Sequence, residues 1–282
     1  MDATEALDAV GQLPDNEIDL AGAALQFARI DRPAADWRAA SAHLTVLARE
    51  MVTVARDMTS STAAARAGVV ASMLGRHGYA GDSGTYDDLE NANLIRVIER
   101  RRGLPVSLGI LWLHCTRAAG WGAHGLDFPG HFLVAVEGQL AQGTPPHPPS
   151  RVVLDVFSGG AMLTNRSLLN LLRRTEGPEA ELRPGVLQPM SARAVLLRLQ
   201  RNIQVRREAA GLLPDALACT ENMLRIAPDM VGLWRDAAVL HEQLDQVPEA
   251  LSCYGRVLEM VPEGALALTT KRAIDGLRSR LN

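Results

Sequence analysis

Residues Asn91–Glu137 read NANLIRVIERRRGLPVSLGILWLHCTRAAGWGAHGLDFPGHFLVAVE, and the period of hydrophobicity changes inside that stretch. Pro105 is set to open a helix, because proline at the first helical position forfeits no hydrogen bond. From there to about Ala119 the apolar residues Leu108, Ile110, Leu111, Trp112, Leu113 and Cys115 run almost all round. A helix of that kind is buried inside a domain. After Gly120 the spacing becomes that of a strand, with Phe132, Val134 and Val136 alternating with Leu133 and Ala135. Val152-Val153-Leu154 is a second β-like run. The proline-rich GTPPHPPS between them suits neither strand nor helix, so Gly138 to Ser150 reads as a loop joining antiparallel strands, with His147 solvated.

The stretch upstream is helical in period. Ile18, Leu20, Ala24, Leu25 and Ala28 mark one short helix, and Asp36 to Met58 a longer one with Leu44, Leu47, Met51 and Val54 on one face. Ser60, Ser61 and Thr62 offer an N-cap to a third, ending near Gly75. Gly78 to Thr85 reads as a loop, and Leu89 to Arg101 as a helix stopped by Gly103.

The last third of the chain repeats itself. PDALACTENMLRIAPD, Pro214 to Asp229, matches PEALSCYGRVLEMVPE, Pro248 to Glu263, at an offset of 34 residues. That offset is the period of the tetratricopeptide repeat. Trp234, Ala250, Tyr254 and Pro262 fall where such a repeat needs a bulky residue, a small contact, an aromatic and a helix-ending proline. RPGVLQPMS, at residues 183–191, interrupts the helical pattern. The expected domains are therefore 1–188, a core with a helical lead-in, and 189–282, an all-α repeat region.

Composition narrows the function classes. A net charge of -3 over 282 residues argues against bulk affinity for nucleic acid or anionic lipid. The acidic start MDATEALDAV lacks the pattern of a signal peptide, and no stretch is apolar for the length of a membrane span. Cys115, Cys219 and Cys253, odd in number and without CxxC spacing, read as reduced, buried thiols in a cytoplasmic protein. No cofactor or metal motif is read. GDSGTYDD lacks the lysine of a phosphate loop, and His114 and His124 have no ligand-like spacing and read as structural.

Three residues could do chemistry together. Ser107 lies in the first turn of the buried helix, where free N–H groups favour an anion. His131 follows the abrupt Phe128-Pro129-Gly130 entry to a strand, and Asp155 ends the Val-Val-Leu run. On adjacent strands Asp155 could hold the His131 imidazole in one tautomer, with Ser107 as nucleophile and His131 as base. Each also has a plain reading. Ser107 then caps its turn, His131 is a core histidine bonded to backbone, and Asp155 caps the turn at Phe157-Ser158-Gly159-Gly160. Glu99-Arg100-Arg101-Arg102 reads as a solvated face, or as arginines that bind a carboxylate or fix the helix entry.

The blocks NANLIRVIERRRGLPVSLGILWLHCTRAAG, FPGHFLV and LDVFSGG resemble the SirB1 (UPF0162) family of bacterial proteins. That family joins a transglutaminase-like core to C-terminal tetratricopeptide repeats. The resemblance implies an α+β fold of papain and transglutaminase type, a helix packed on a small antiparallel sheet, followed by the all-α repeats. It also implies that His131 and Asp155 match the His and Asp of the superfamily triad. The superfamily cysteine falls at Ser107 or at Pro105, depending on register, and Cys115 lies about 12 Å further along the helix. The expected function is a protein-interaction or regulatory role through a protein or peptide partner at the repeats. The alternative is a Ser-His-Asp hydrolase or acyl transferase acting on an amide or ester.

Overall fold

The computed structural model describes residues 2–60, 62–139, 150–183 and 185–281. The sequence readings at Ser61, at His147 with most of its loop, and at Pro184 lie outside the described residues. Two compact units are resolved, Asp15–Leu199 and the pair of segments Met1–Pro14 with Gln200–Asn282. The division falls inside a helix and assigns the first fourteen residues to the repeat unit.

In the first unit, helices α2 (Leu20–Asp31), α3 (Trp37–Arg56) and α4 (Ala63–Arg76) precede the decisive stretch. Helix α3 buries Ala40, Leu44, Leu47 and Met51, the face that the spacing marks out. The Thr62 hydroxyl caps α4 by accepting from the Ala65 N–H at 3.2 Å. Leu89–Asn91 is a 3-10 turn and α5 is only Leu94–Arg100, shorter than the sequence suggests. Asn93 separates the two, because its side chain caps α5. The helix ends at Arg101 with φ 58°, a left-handed residue that is not the expected glycine. Two short strands, β1 (Ala80–Gly81) and β2 (Arg102–Gly103), then pair in parallel.

Helix α6 (Pro105–Ala118) carries proline at its start and buries Val106, Ser107, Leu108, Ile110, Leu111, Trp112 and Cys115. It packs on a four-stranded antiparallel sheet in the order β3 (Ala123–Phe128), β4 (His131–Glu137), β5 (Arg151–Asp155), β6 (Ala161–Leu163). Pro129 and Gly130 turn the β3–β4 hairpin, with Phe128 opposite His131. Gly130 has φ 66°, and a Cβ there would lie 2.5 Å from Thr175. Proline then glycine suits a turn whose second residue needs positive φ. Helix α6 lies tight against the sheet at Gly109, where a Cβ would fall 2.2 Å from the Phe132 ring. Helix α7 (Asn165–Glu176) adds Leu168 and Leu172 to Leu126, Phe128, Leu133, Ala135 and Val153, so the sheet is buried on both faces.

The repeat unit holds α1 (Ala3–Gln12), α9 (Leu213–Ile226), α10 (Val231–Gln243), α11 (Val247–Met260) and α12 (Ala265–Leu281). Helix α8 (Ala192–Ala209) runs across the division. The duplicated segments are α9 and α11, each begun by a proline in its first turn. Ala216, Ala237, Ala238 and Ala250 are all but fully buried, so small residues let the antiparallel helices approach. Tyr254 lies in that core and donates its hydroxyl proton to Glu242 at 3.2 Å. Trp234 donates its indole N–H to the Pro228 carbonyl at 2.8 Å, fixing the turn between α9 and α10.

Candidate functional site

The structure joins two of the three candidate residues. His131 opens β4 and Asp155 closes β5, and His131 Nε2 lies 3.2 Å from Asp155 Oδ1. Both side chains are largely buried. Asp155 Oδ1 also accepts from the Phe157 and Ser158 N–H groups at 3.0 and 3.3 Å, and Oδ2 accepts from the Ser158 hydroxyl at 2.8 Å. Burial alone would raise the Asp155 pKa, but the bonds from His131 and Ser158 outweigh it and hold the carboxyl below its usual value. Asp155 thus meets the imidazole and caps the following turn at once. With Nε2 engaged, Nδ1 is the ring nitrogen left for another group.

Ser107 is placed differently. It is fully buried, and its hydroxyl lies 2.6 Å from the Asn91 carbonyl and 3.1 Å from the Leu104 carbonyl. A hydroxyl has a single proton, and both acceptors here are backbone oxygens. The Leu104 N–H donates to the same Asn91 carbonyl at 2.9 Å. Ser107 therefore ties the start of α6 to the 3-10 turn before it, and neither His131 nor Asp155 is among its partners. Pro105 is buried at the first position of α6 and carries no side-chain heteroatom. Cys115 is buried as a free thiol, and burial first, then Glu50, pushes its pKa up to about 12. A thiol so disposed is inert at neutral pH.

The arginine run holds more structure than its composition suggests. Arg100 bridges Asp88 at 3.1 Å and Asp82 at 3.3 Å. Arg102 donates to the Gly78 and Arg101 carbonyls. Arg101 turns inward, donates to the Tyr79 hydroxyl and lies 2.6 Å from His43 Nε2. His77 Nε2 meets Glu50 at 2.6 Å, and the His43 and His77 rings stack edge to face at 5.5 Å. This half-buried cluster of His43, Glu50, His77, Tyr79 and Arg101 has no local motif, because α3, the end of α4 and the turn after α5 meet only in the fold. The arginine can only donate, so Nε2 of His43 accepts and the ring is neutral.

Burial first, then the charges of Arg101 and His77, lowers His43 from 6.5 to about 4. Between those values the unfolded chain binds a proton that the folded ring refuses, so this group withdraws stability as pH falls from about 6.5 to about 4. Urea midpoints at pH 7 and pH 5 are expected to differ less in His43→Gln than in the natural protein. An equal difference in both would remove His43 as the cause.

Among the described residues no cluster of histidine, cysteine and carboxylate groups could hold a metal ion, and no helix is long and apolar enough to cross a membrane. His114 Nε2 lies 2.9 Å from the Leu44 carbonyl and His124 Nε2 3.0 Å from Glu137, so both histidines serve the packing.

A model of the transglutaminase-like superfamily matches residues 38–201, and a tetratricopeptide repeat model matches residues 203–275. A protein of Vibrio cholerae named as a UPF0162 protein is 30% identical over 203 residues, 71% of each chain. This chain belongs to the UPF0162 family. A UPF0162 protein of Pseudomonas aeruginosa is 29% identical over 246 residues, covering 87% of this chain and 85% of its own. One from Xylella fastidiosa is 28% identical over 188 residues, and the chain spans 64% of that relative's length. The UPF0162 chain therefore combines the transglutaminase-like core and the repeats that its sequence motifs point to.

Proposed function

We propose that this UPF0162 protein is a non-catalytic member of the transglutaminase-like superfamily that works by binding a protein or peptide through its repeats. The buried Ser107 hydroxyl carries the reading. Its proton is committed to backbone carbonyls, and Pro105 offers no reactive atom, so the paired His131 and Asp155 lack a nucleophile. The binding half rests on the repeat unit, where a groove of about 420 Å³ between α8 and α10 exposes Val205 by 54% and Val239 by 39%. Its polar wall is the bonded set Arg201, Asp236 and Arg235, which joins α8 to α10. Three buried cysteines outside any disulfide fit the reducing cytoplasm as its location.

The expected result for the double variant Val205→Glu with Val239→Glu is loss of at least ~10-fold in affinity, about 1.4 kcal/mol, for whatever partner the natural protein captures. Both positions are exposed, so thermal unfolding should be unchanged. Undiminished capture by the variant would reject the groove.

The His131–Asp155 geometry favours a second reading, acyl transfer to or hydrolysis of an amide or ester, with Ser107 as nucleophile, His131 as base and Asp155 as orienter. It requires the start of α6 to shift so that Ser107 leaves Asn91. A fluorophosphonate probe would then label the natural protein and spare Ser107→Ala. The binding reading predicts that neither is labelled.

A further inference from the structure

The outer edge of β3 is half covered and half open. In an antiparallel ladder, residues alternate between those bonded to the neighbouring strand and those whose N–H and C=O point away from it. The Gly122 carbonyl accepts from the Glu137 N–H at 2.9 Å, which sets the alternation for β3 against β4. Ala123 and Gly125 therefore turn their backbone groups outward. Gly125 confirms this, since its carbonyl accepts from the Met190 N–H at 2.8 Å, and Leu126 and Pro189 form an antiparallel bridge.

Residues 189 and 190 thus already act as a short added strand. They leave the edge because α8 begins there, with the Ala192 and Arg193 N–H groups donating to the Asp15 carboxylate at 2.7 and 2.9 Å. Beyond Met190, the N–H and C=O of Ala123 and the N–H of Gly125 have no partner among the described residues. A buried backbone donor of this kind costs free energy until it is met. These groups border a cleft of about 760 Å³ whose walls include Leu113, Trp121, Met190 and Val195. At its mouth stands Asp19, exposed and making no bond to cap α2. The other charged groups there are committed, with Asp15 on α8 and Arg117 donating to the Ile18 and Asn16 carbonyls.

We infer that this cleft takes an extended peptide that pairs with the open edge of β3 at Ala123, placing apolar side chains inward and a lysine or arginine at Asp19. Pairing supplies affinity from the backbone, and alternating side chains supply selection. The site is separate from both the His131–Asp155 pair and the repeat groove, so it stands whether or not those readings do.

The test uses the full chain and a fluorescein-labelled, end-capped hexapeptide alternating valine and lysine. Anisotropy is expected to show saturable binding, weakened at least ~10-fold in Ala123→Pro, which removes the outward N–H and spares the bonds to β4. The same peptide with N-methylated valines should bind at least ~10-fold more weakly, and replacing its lysines by glutamate should do the same. Amide exchange provides a measure that does not depend on the variant folding, since Ala123 should exchange quickly alone and slowly with peptide. Failure to bind, equal binding of the N-methylated peptide, or unchanged exchange at the Ala123 amide would overturn the inference. So would a dimer that protects the Ala123 amide without peptide, because the edge would then belong to a second copy.

Discussion

Replacing Phe132 by alanine is expected to cost about 3–5 kcal/mol, the range for an aromatic removed from a packed interior. The ring is 2% exposed and is held between two glycines, one on each element it joins. A Cβ at Gly109 would lie 2.2 Å from the ring and one at Gly125 2.7 Å away, so the space was made by removing side chains from α6 and β3. Neither glycine can reach in to refill the cavity. Chemical denaturation followed by circular dichroism measures the loss, and Phe132→Leu should recover much of it by keeping most of the volume. A midpoint for Phe132→Ala within error of the natural protein would mean that α6 and the sheet are not held by this contact.

Asn93→Ala is expected to be nearly as damaging, at about 2–4 kcal/mol. Its Oδ1 accepts from the Ile95 and Arg96 N–H groups, and removing such a cap costs roughly 0.5–2 kcal/mol. Its Nδ2 donates to the Ala28 carbonyl and to Asp31, both at 3.0 Å, and the side chain is 1% exposed. The Ala28 carbonyl keeps the Arg32 N–H at 2.9 Å, so the loss here is that of the two Nδ2 hydrogen bonds themselves, about 0.5–1.5 kcal/mol each. Asn93→Asp separates the two contributions, since it keeps the cap but sets a carboxylate against the Ala28 carbonyl and Asp31. It should be no better than alanine. If Asn93→Asp is as stable as the natural protein, the bonds to α2 contribute nothing.

Much of the architecture was legible in the chain because it follows from local rules. The apolar face of α3, proline at the start of α6, the 34-residue offset of α9 and α11, and the alternation in β4 each report a period or a turn preference. The elements that escaped are those held by tertiary contact. Strand β3 reads AHGLDF, too polar and glycine-rich to announce itself, and it forms because β4 pairs along its whole length. Strands β1 and β2 are two residues each and exist only as a parallel pair. Helix α1 is a short amphipathic segment far from its repeat in sequence, and it packs against α9. The left-handed Arg101 was equally hidden, because an arginine gives no sign of positive φ until its side chain is seen bonded to Tyr79 and His43.

The site divides in the same way. The order of Ser107, His131 and Asp155 was readable, and so was the likelihood of a bond between two residues at adjacent strand ends. The serine's commitment was not, since the nearer of its two backbone acceptors, the Asn91 carbonyl, is sixteen residues away in the chain. By itself the sequence determined the family, the helix-then-sheet order and the repeats, because periodicity and turn chemistry act within a few residues. Only the tertiary structure decided which polar groups meet: a hydroxyl with one proton gives it to whichever acceptor the packed chain brings nearest, and packing chose a carbonyl over the imidazole.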